Sequence, residues 1–125
     1  MSVRNEAELE RMLRLCRELG LPEVVESTSY GTPSLKVKDK NFASVRGPQE
    51  MVLHCPLEQK ELLMEMAPDI YWQTDHFKDW PGLLVRLDVI TDEELRIRLE
   101  DAWRFRAPKR LAQQYASSKG LPTGQ

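Results

Sequence analysis

The sequence predicts an α+β domain, an antiparallel sheet with helices packed on one face, in the order α-β-β-β-α-β-β-α. Three observations carry this. Residues 30–46 hold two short alternating runs around a polar turn. Further alternating runs are joined by turns rather than by long crossovers. Apolar residues at helical spacing bracket this β-rich middle on both sides.

The central hairpin is the clearest signal. Leu35 and Val37 point one way, Lys36 and Lys38 the other. After Asp39-Lys40-Asn41 the apolar residues resume with Phe42, Ala43 and Val45. Two such runs around a polar turn read as a hairpin, with one face turned to a core and lysines on the other.

The remaining elements follow in order. Asn5 with Glu8 resembles a capping box, and Leu9, Met12, Leu13, Cys16 and Leu19 then mark one helical face. Gly20 and Pro22 stop that helix. Val24 to Tyr30 alternates loosely as a strand, and Gly31-Thr32-Pro33 forces a bend before the hairpin. Gly47-Pro48 is a second break, and Met51, Leu53 and Cys55 mark another strand. Pro56 opens a helix whose buried face is Leu62, Leu63 and Met66. Ile70 to His76 reads as a strand, Asp79 to Gly82 as a turn, and Leu83, Val85 and Leu87 as the last strand. Thr91 with Glu94 is a second capping box, followed by Leu95, Leu99, Ala102, Trp103 and Phe105 on a helix that Pro108 ends. Lys109 to Tyr115 adds a short turn.

At 125 residues the chain is expected to form a single domain over 1–116, with a flexible C-terminal tail over 117–125. No apolar run approaches the length of a membrane span, and Arg4, Glu6, Glu8, Glu10 and Arg11 break up the N-terminus. A cytoplasmic location is expected, with Cys16 and Cys55 as free buried thiols. The net charge of −2 is uneven. From Leu95 to Gln125 seven basic residues face two acidic ones, a local +5 that leaves −7 for the rest. The acidic balance argues against a generic high-affinity DNA binder, while the basic end keeps nucleic acid open.

Catalytic motifs are missing. No glycine loop fits a phosphate cradle or a dinucleotide, and the two Cys and two His lack zinc-ligand spacing. His54 and Cys55 are adjacent, so on a strand they face opposite sides and cannot pair as base and nucleophile. His76 lies near Asp75 and Asp79 without a nucleophile, and reads as a hydrogen-bonded turn histidine. The chain is therefore expected to be no enzyme, with no catalytic residue, metal site or cofactor. Trp72 and Trp103 read as core or edge packing, and Trp80, before Pro81, as the tryptophan least suited to burial.

Three blocks resemble the MmcQ/YjbR-like family. They are Tyr30-Gly31-Thr32-Pro33 with Leu35-Lys36-Val37 and Lys40-Asn41-Phe42-Ala43; Tyr71 to Phe77 with Trp80-Pro81-Gly82 and Leu84-Val85-Arg86-Leu87; and Ala102-Trp103 through Ala107 to Leu111. Order and spacing agree from roughly Asn5 to Leu111. The resemblance implies a fold similar to the CyaY (frataxin-like) domain and a DNA-binding role through two hairpins acting as a double wing. The matching wing positions are Lys36, Lys38 and Lys40 on the first, and His76 and Lys78 on the second, interrupted by Asp39, Asp75 and Asp79. DNA would be held through phosphates, weakly and with strong salt dependence. The alternative is a module for a protein or small ligand, with Tyr30, Trp72, His76 and Trp80 rimming a groove. A third reading takes the frataxin likeness literally and makes Glu6 and Glu10 an iron-binding ridge. No membrane partner is expected, and the residues do not fix an oligomeric state.

Overall fold

A computed structural model describes residues 3–29 and 31–120, with side chains for 6–28 and 31–120. Its elements are α1 (Val3–Leu19), β1 (Val24–Ser29), β2 (Thr32–Val37), β3 (Lys40–Gly47), β4 (Glu50–His54), α2 (Leu57–Met66), β5 (Tyr71–Trp72), a 3-10 turn over Asp75–Phe77, β6 (Gly82–Arg86), α3 (Asp92–Arg106) and α4 (Lys109–Lys119). The strands form one antiparallel sheet in the order β1-β2-β3-β4-β6-β5. The class is the one the sequence predicts. The count differs from α-β-β-β-α-β-β-α in two places: four strands precede α2, and α4 follows α3.

The extra strand arises because β1 and β2 pair with each other, from Val24↔Val37 to Ser29↔Thr32. Pro33 is tolerated inside β2 because the β2–β3 ladder begins only at Ser34↔Ser44, so its missing N–H costs no bond to β3. Lys38 and Asp39 both adopt positive φ, 49° and 71°, which closes a two-residue primed turn between Val37 and Lys40. The β3–β4 turn uses Pro48 and then Gln49 at φ 62°.

Register sorts the side chains onto two faces. Leu35, Ala43, Leu53 and Leu83 form one buried row, and Val45, Met51, Val85 and Tyr71 the next. A bulge at Phe42 lets two adjacent residues, Phe42 and Ala43, both be buried. This face meets Leu9, Met12, Leu15 and Cys16 of α1 and Leu95, Leu99, Ala102 and Trp103 of α3 in one core. α1 and α3 cross β3, and α2 lies over β5 and β6.

Several local expectations change. α1 begins at Val3 rather than at an Asn5 cap, and Glu8 is spent elsewhere, its Oε2 accepting the Gln49 N–H at 2.5 Å. In α2 only Leu63 of the expected buried trio is buried; Leu62 and Met66 are exposed, and Lys60 takes the inward phase instead. The expected strand from Ile70 to His76 shortens to Tyr71–Trp72 before the 3-10 turn. Phe105 is exposed. α4 stays helical to Lys119, three residues into the segment expected to be frayed, because Tyr115 packs edge-on against Trp103 at 5.1 Å and Gly120 closes the end in a left-handed cap. Residues 121–125 lie outside the described residues.

Candidate nucleic-acid interface

Among the described residues, the other face of the sheet carries no helix. One row crosses all six strands: Ser27, Ser34, Ser44, Val52, Leu84 and Trp72. Leu84 is fully buried yet lies outside the hydrophobic core cluster, as its place on this face requires. The alternation that puts Leu35 and Val37 inward puts Lys36 here, and that of β4 puts His54 here.

The strand directions bring both candidate wings to one end of the sheet. The β2–β3 turn, with exposed Lys38 and Lys40, lies at the end where β6 begins at Gly82. The segment 73–81, with exposed His76 and Lys78, connects β5 to β6 at that same end. Three strand spacings separate the two connections, about 14 Å. Lys36 is half-buried, and a hollow of about 340 Å³ lies between it and Glu23, Val25, Ser27, Lys38 and Asp39. Lys38 Nζ is 3.8 Å from Glu23 Oε1. Arg106, at the end of α3, donates from Nε to the Asn41 carbonyl at 2.7 Å and adds a cation to this end.

The second connection is held by a residue sequence reading passed over. Lys60, 1% exposed, donates from Nζ to the carbonyls of Phe77 at 2.6 Å, Trp80 at 2.7 Å and Lys78 at 3.3 Å. One ammonium thus gathers the segment bearing His76, Lys78 and Trp80. The signal was available, since Lys60 is three residues before Leu63 and shares its phase.

The proposed groove residues are only partly brought together. Tyr30 lies outside the described residues. Trp80 folds back over Gly82: a Cβ there would stand 2.0 Å from the indole, so glycine is what lets the ring come this close to the sheet. Trp80 meets His54 edge-on at 4.7 Å and Phe77 at 5.5 Å. His76 is exposed and joins this cluster only through Phe77, at 5.9 Å. Trp72 is engaged instead by two arginines, Arg86 at 4.8 Å and Arg46 at 5.8 Å from its ring centre. Arg46, two residues after Ser44, falls on this face by alternation, beside a bulge, and also meets Glu50 at 3.1 Å.

Burial, and then the charge of Arg106, holds the His54 pKa down to about 4, so the ring is neutral at pH 7. Cys55 alternates to the core side, and burial pushes its thiol up to about 11; burial likewise pushes Cys16 up to about 12. Both are free and buried. Of the proposed iron ridge, Glu6 is exposed and Glu10 is 3.8 Å from Arg17. Among the described residues no three His, Cys, Asp or Glu side chains cluster as metal ligands, and no helix is long and apolar enough to cross a membrane.

These features define a small α+β protein whose antiparallel sheet has one face under helices and one free of them. The chain matches the YjbR family over residues 19–105, and it belongs to that family. It is 36% identical over 61 residues to the uncharacterised proteins Mb2600 of Mycobacterium bovis and Rv2570 of Mycobacterium tuberculosis. That match takes in 49% of this chain and 47% of each relative, so it spans about half the length of these curated relatives. The crystal structure of DR2400 from Deinococcus radiodurans, with a DUF419 domain, aligns over 94% of this chain and 91% of that one. Its TM-score is 0.69 at 21% identity, a likeness of fold.

Proposed function

We propose that this protein binds nucleic acid without catalysis, holding phosphates through Lys36, Lys38, Lys40 and Lys78 with His76 beside them. The observation that carries the reading is the convergence of two connections, distant in sequence, at one end of the sheet. Four ammonium groups there can neutralise a few phosphates, which gives weak binding with little sequence choice. Asp39, Asp75 and Asp79 share that end and keep the affinity low. The non-catalytic part is supported by His76 standing exposed and by Cys55 being buried with its thiol pushed up.

The test is fluorescence anisotropy with labelled oligonucleotides at low salt. Charge reversal of Lys36, Lys38 and Lys40 to Glu is expected to abolish the signal while circular dichroism stays native. A wild-type protein that binds neither DNA nor RNA at low salt removes the reading. A small-molecule or protein ligand is the second reading, favoured by the Trp80, His54 and Phe77 cluster beside the sheet.

A further inference from the structure

Seven buried side-chain polar atoms among the described residues have no hydrogen-bond partner. Four of them are Ser34 Oγ, Asn41 Oδ1, His54 Nδ1 and Trp72 Nε1. They come from β2, β3, β4 and β5, one from each, and register and alternation put all four residues on the helix-free face. Buried polar groups are nearly always satisfied by protein or water, so such a concentration on one face marks it as a place where hydrogen-bonding groups from outside the chain fit. Ser34 is fully buried there.

We propose that this face receives the unpaired bases of a single-stranded nucleic acid, an inference that rests on the nucleic-acid reading above. The chemistry of the four groups selects bases over phosphate. A serine hydroxyl donates and accepts, an amide oxygen accepts, a neutral imidazole nitrogen does one or the other, and an indole N–H donates. Base edges present the same mixture. A phosphate offers only acceptors and would repel the amide oxygen.

Stacking and charge fit the same occupant. Trp80, 37% exposed and folded back over Gly82, offers an aromatic surface to a base. Serines at 27, 34 and 44 keep the floor low across the first three strands. Lys36 on the face, Arg46 and Arg86 against Trp72, and Lys38, Lys40 and Arg106 at its end place cations around it for the backbone. Of the carboxylates among them, Glu50 is paired with Arg46 and Glu23 lies 3.8 Å from Lys38, while Asp39 stands between Lys38 and Lys40. Trp80 and Arg46 are both more than a third exposed, so these two side chains can rotate aside with the backbone fixed. A duplex cannot supply this contact, because its base faces are stacked on one another and its Watson–Crick edges are paired, leaving none to lie against Trp80.

The experiment compares four labelled probes on the wild-type chain: a 12-nucleotide DNA strand, the same strand as RNA, the DNA as duplex, and an abasic strand with the same phosphates. The expected result is at least tenfold tighter binding of the DNA or the RNA strand than of duplex or abasic strand. Trp80→Leu is expected to lose about tenfold on the strand with bases and nothing on the abasic one. Gly82→Ala, which displaces the indole, is expected to act in the same direction. Equal binding of strand, duplex and abasic probe overturns this inference and leaves phosphate binding standing. Binding of none overturns both. The wild-type comparison decides the matter even where a variant fails to fold.

Discussion

At the scale of single residues, Gly82, His54 and Lys36 show how much one position can carry. Gly82 is needed for space: any Cβ there meets the Trp80 ring. Gly82→Ala is therefore expected to cost about 1–3 kcal/mol, as overpacking does, and to shift tryptophan emission to longer wavelength, seen in one denaturation series. Nothing in the sequence showed this, because the clash is with a ring two residues away that folds back over the strand. His54 carries a pH dependence. Its folded pKa of about 4 lies below the ordinary 6.5, so the unfolded chain takes up a proton first as pH falls. The stability this ring contributes is present above pH 6.5 and is lost as pH falls through 4. For a half-buried ring open to solvent screening the loss is about 1–2 kcal/mol. Denaturant midpoints across that window are expected to fall more steeply for the wild type than for His54→Gln; parallel curves would contradict the assignment. Lys36, by contrast, was legible from period-two alternation alone, since Leu35 and Val37 had to face the core.

At the scale of elements, helix α2 and the 73–81 connection form a unit. Lys60 enters the core phase of α2, and its ammonium ties together three carbonyls of the turn, two of which, those of Phe77 and Trp80, also accept backbone N–H groups. Lys60→Met keeps the bulk and removes the donors. It is expected to destabilise the domain by about 2–4 kcal/mol and to raise amide exchange over 75–82 before other segments, as measured by hydrogen–deuterium exchange; uniform exchange across the chain would show the clasp to be dispensable. The capping box at Thr91 was legible and half of it forms. Thr91 Oγ1 accepts the Glu94 N–H at 3.2 Å, while the Glu94 carboxylate turns away to the Tyr71 hydroxyl at 2.5 Å. Sequence periodicity found α1 and α3 and missed Leu15, a fully buried contact that a stripe drawn through Leu13 excludes. It also missed how the two helices are tied. Arg11 donates to Asp92 and to the carbonyls of Leu87 and Ile90, and Arg96 pairs with Glu18. Such pairs join residues about eighty positions apart, which no local spacing encodes.

At the scale of the whole molecule, the fold separates two tasks. The helices bury one face of the sheet, and among the described residues the wing end and the other face are left without a helix. The antiparallel sheet was readable because hairpin turns leave local marks: the polar Asp39-Lys40-Asn41 between alternating runs, where the structure closes the turn one residue earlier at Lys38-Asp39, and Gly47-Pro48 before Gln49. Strand order was not, because β6 inserts between β4 and β5 through a pairing that only the folded chain defines. The convergence of the two lysine-bearing connections depends on that order. It is the central claim, and salt dependence tests it most directly. If Lys36, Lys38, Lys40 and Lys78 each neutralise a phosphate, the logarithm of the binding constant falls with the logarithm of salt concentration at a slope of about −3. The K36E/K38E/K40E variant, if any residual binding is measurable, then shows a slope near −1. A wild-type slope near zero, or a slope unchanged by the charge reversals, would mean that this end of the sheet is not where nucleic acid is held.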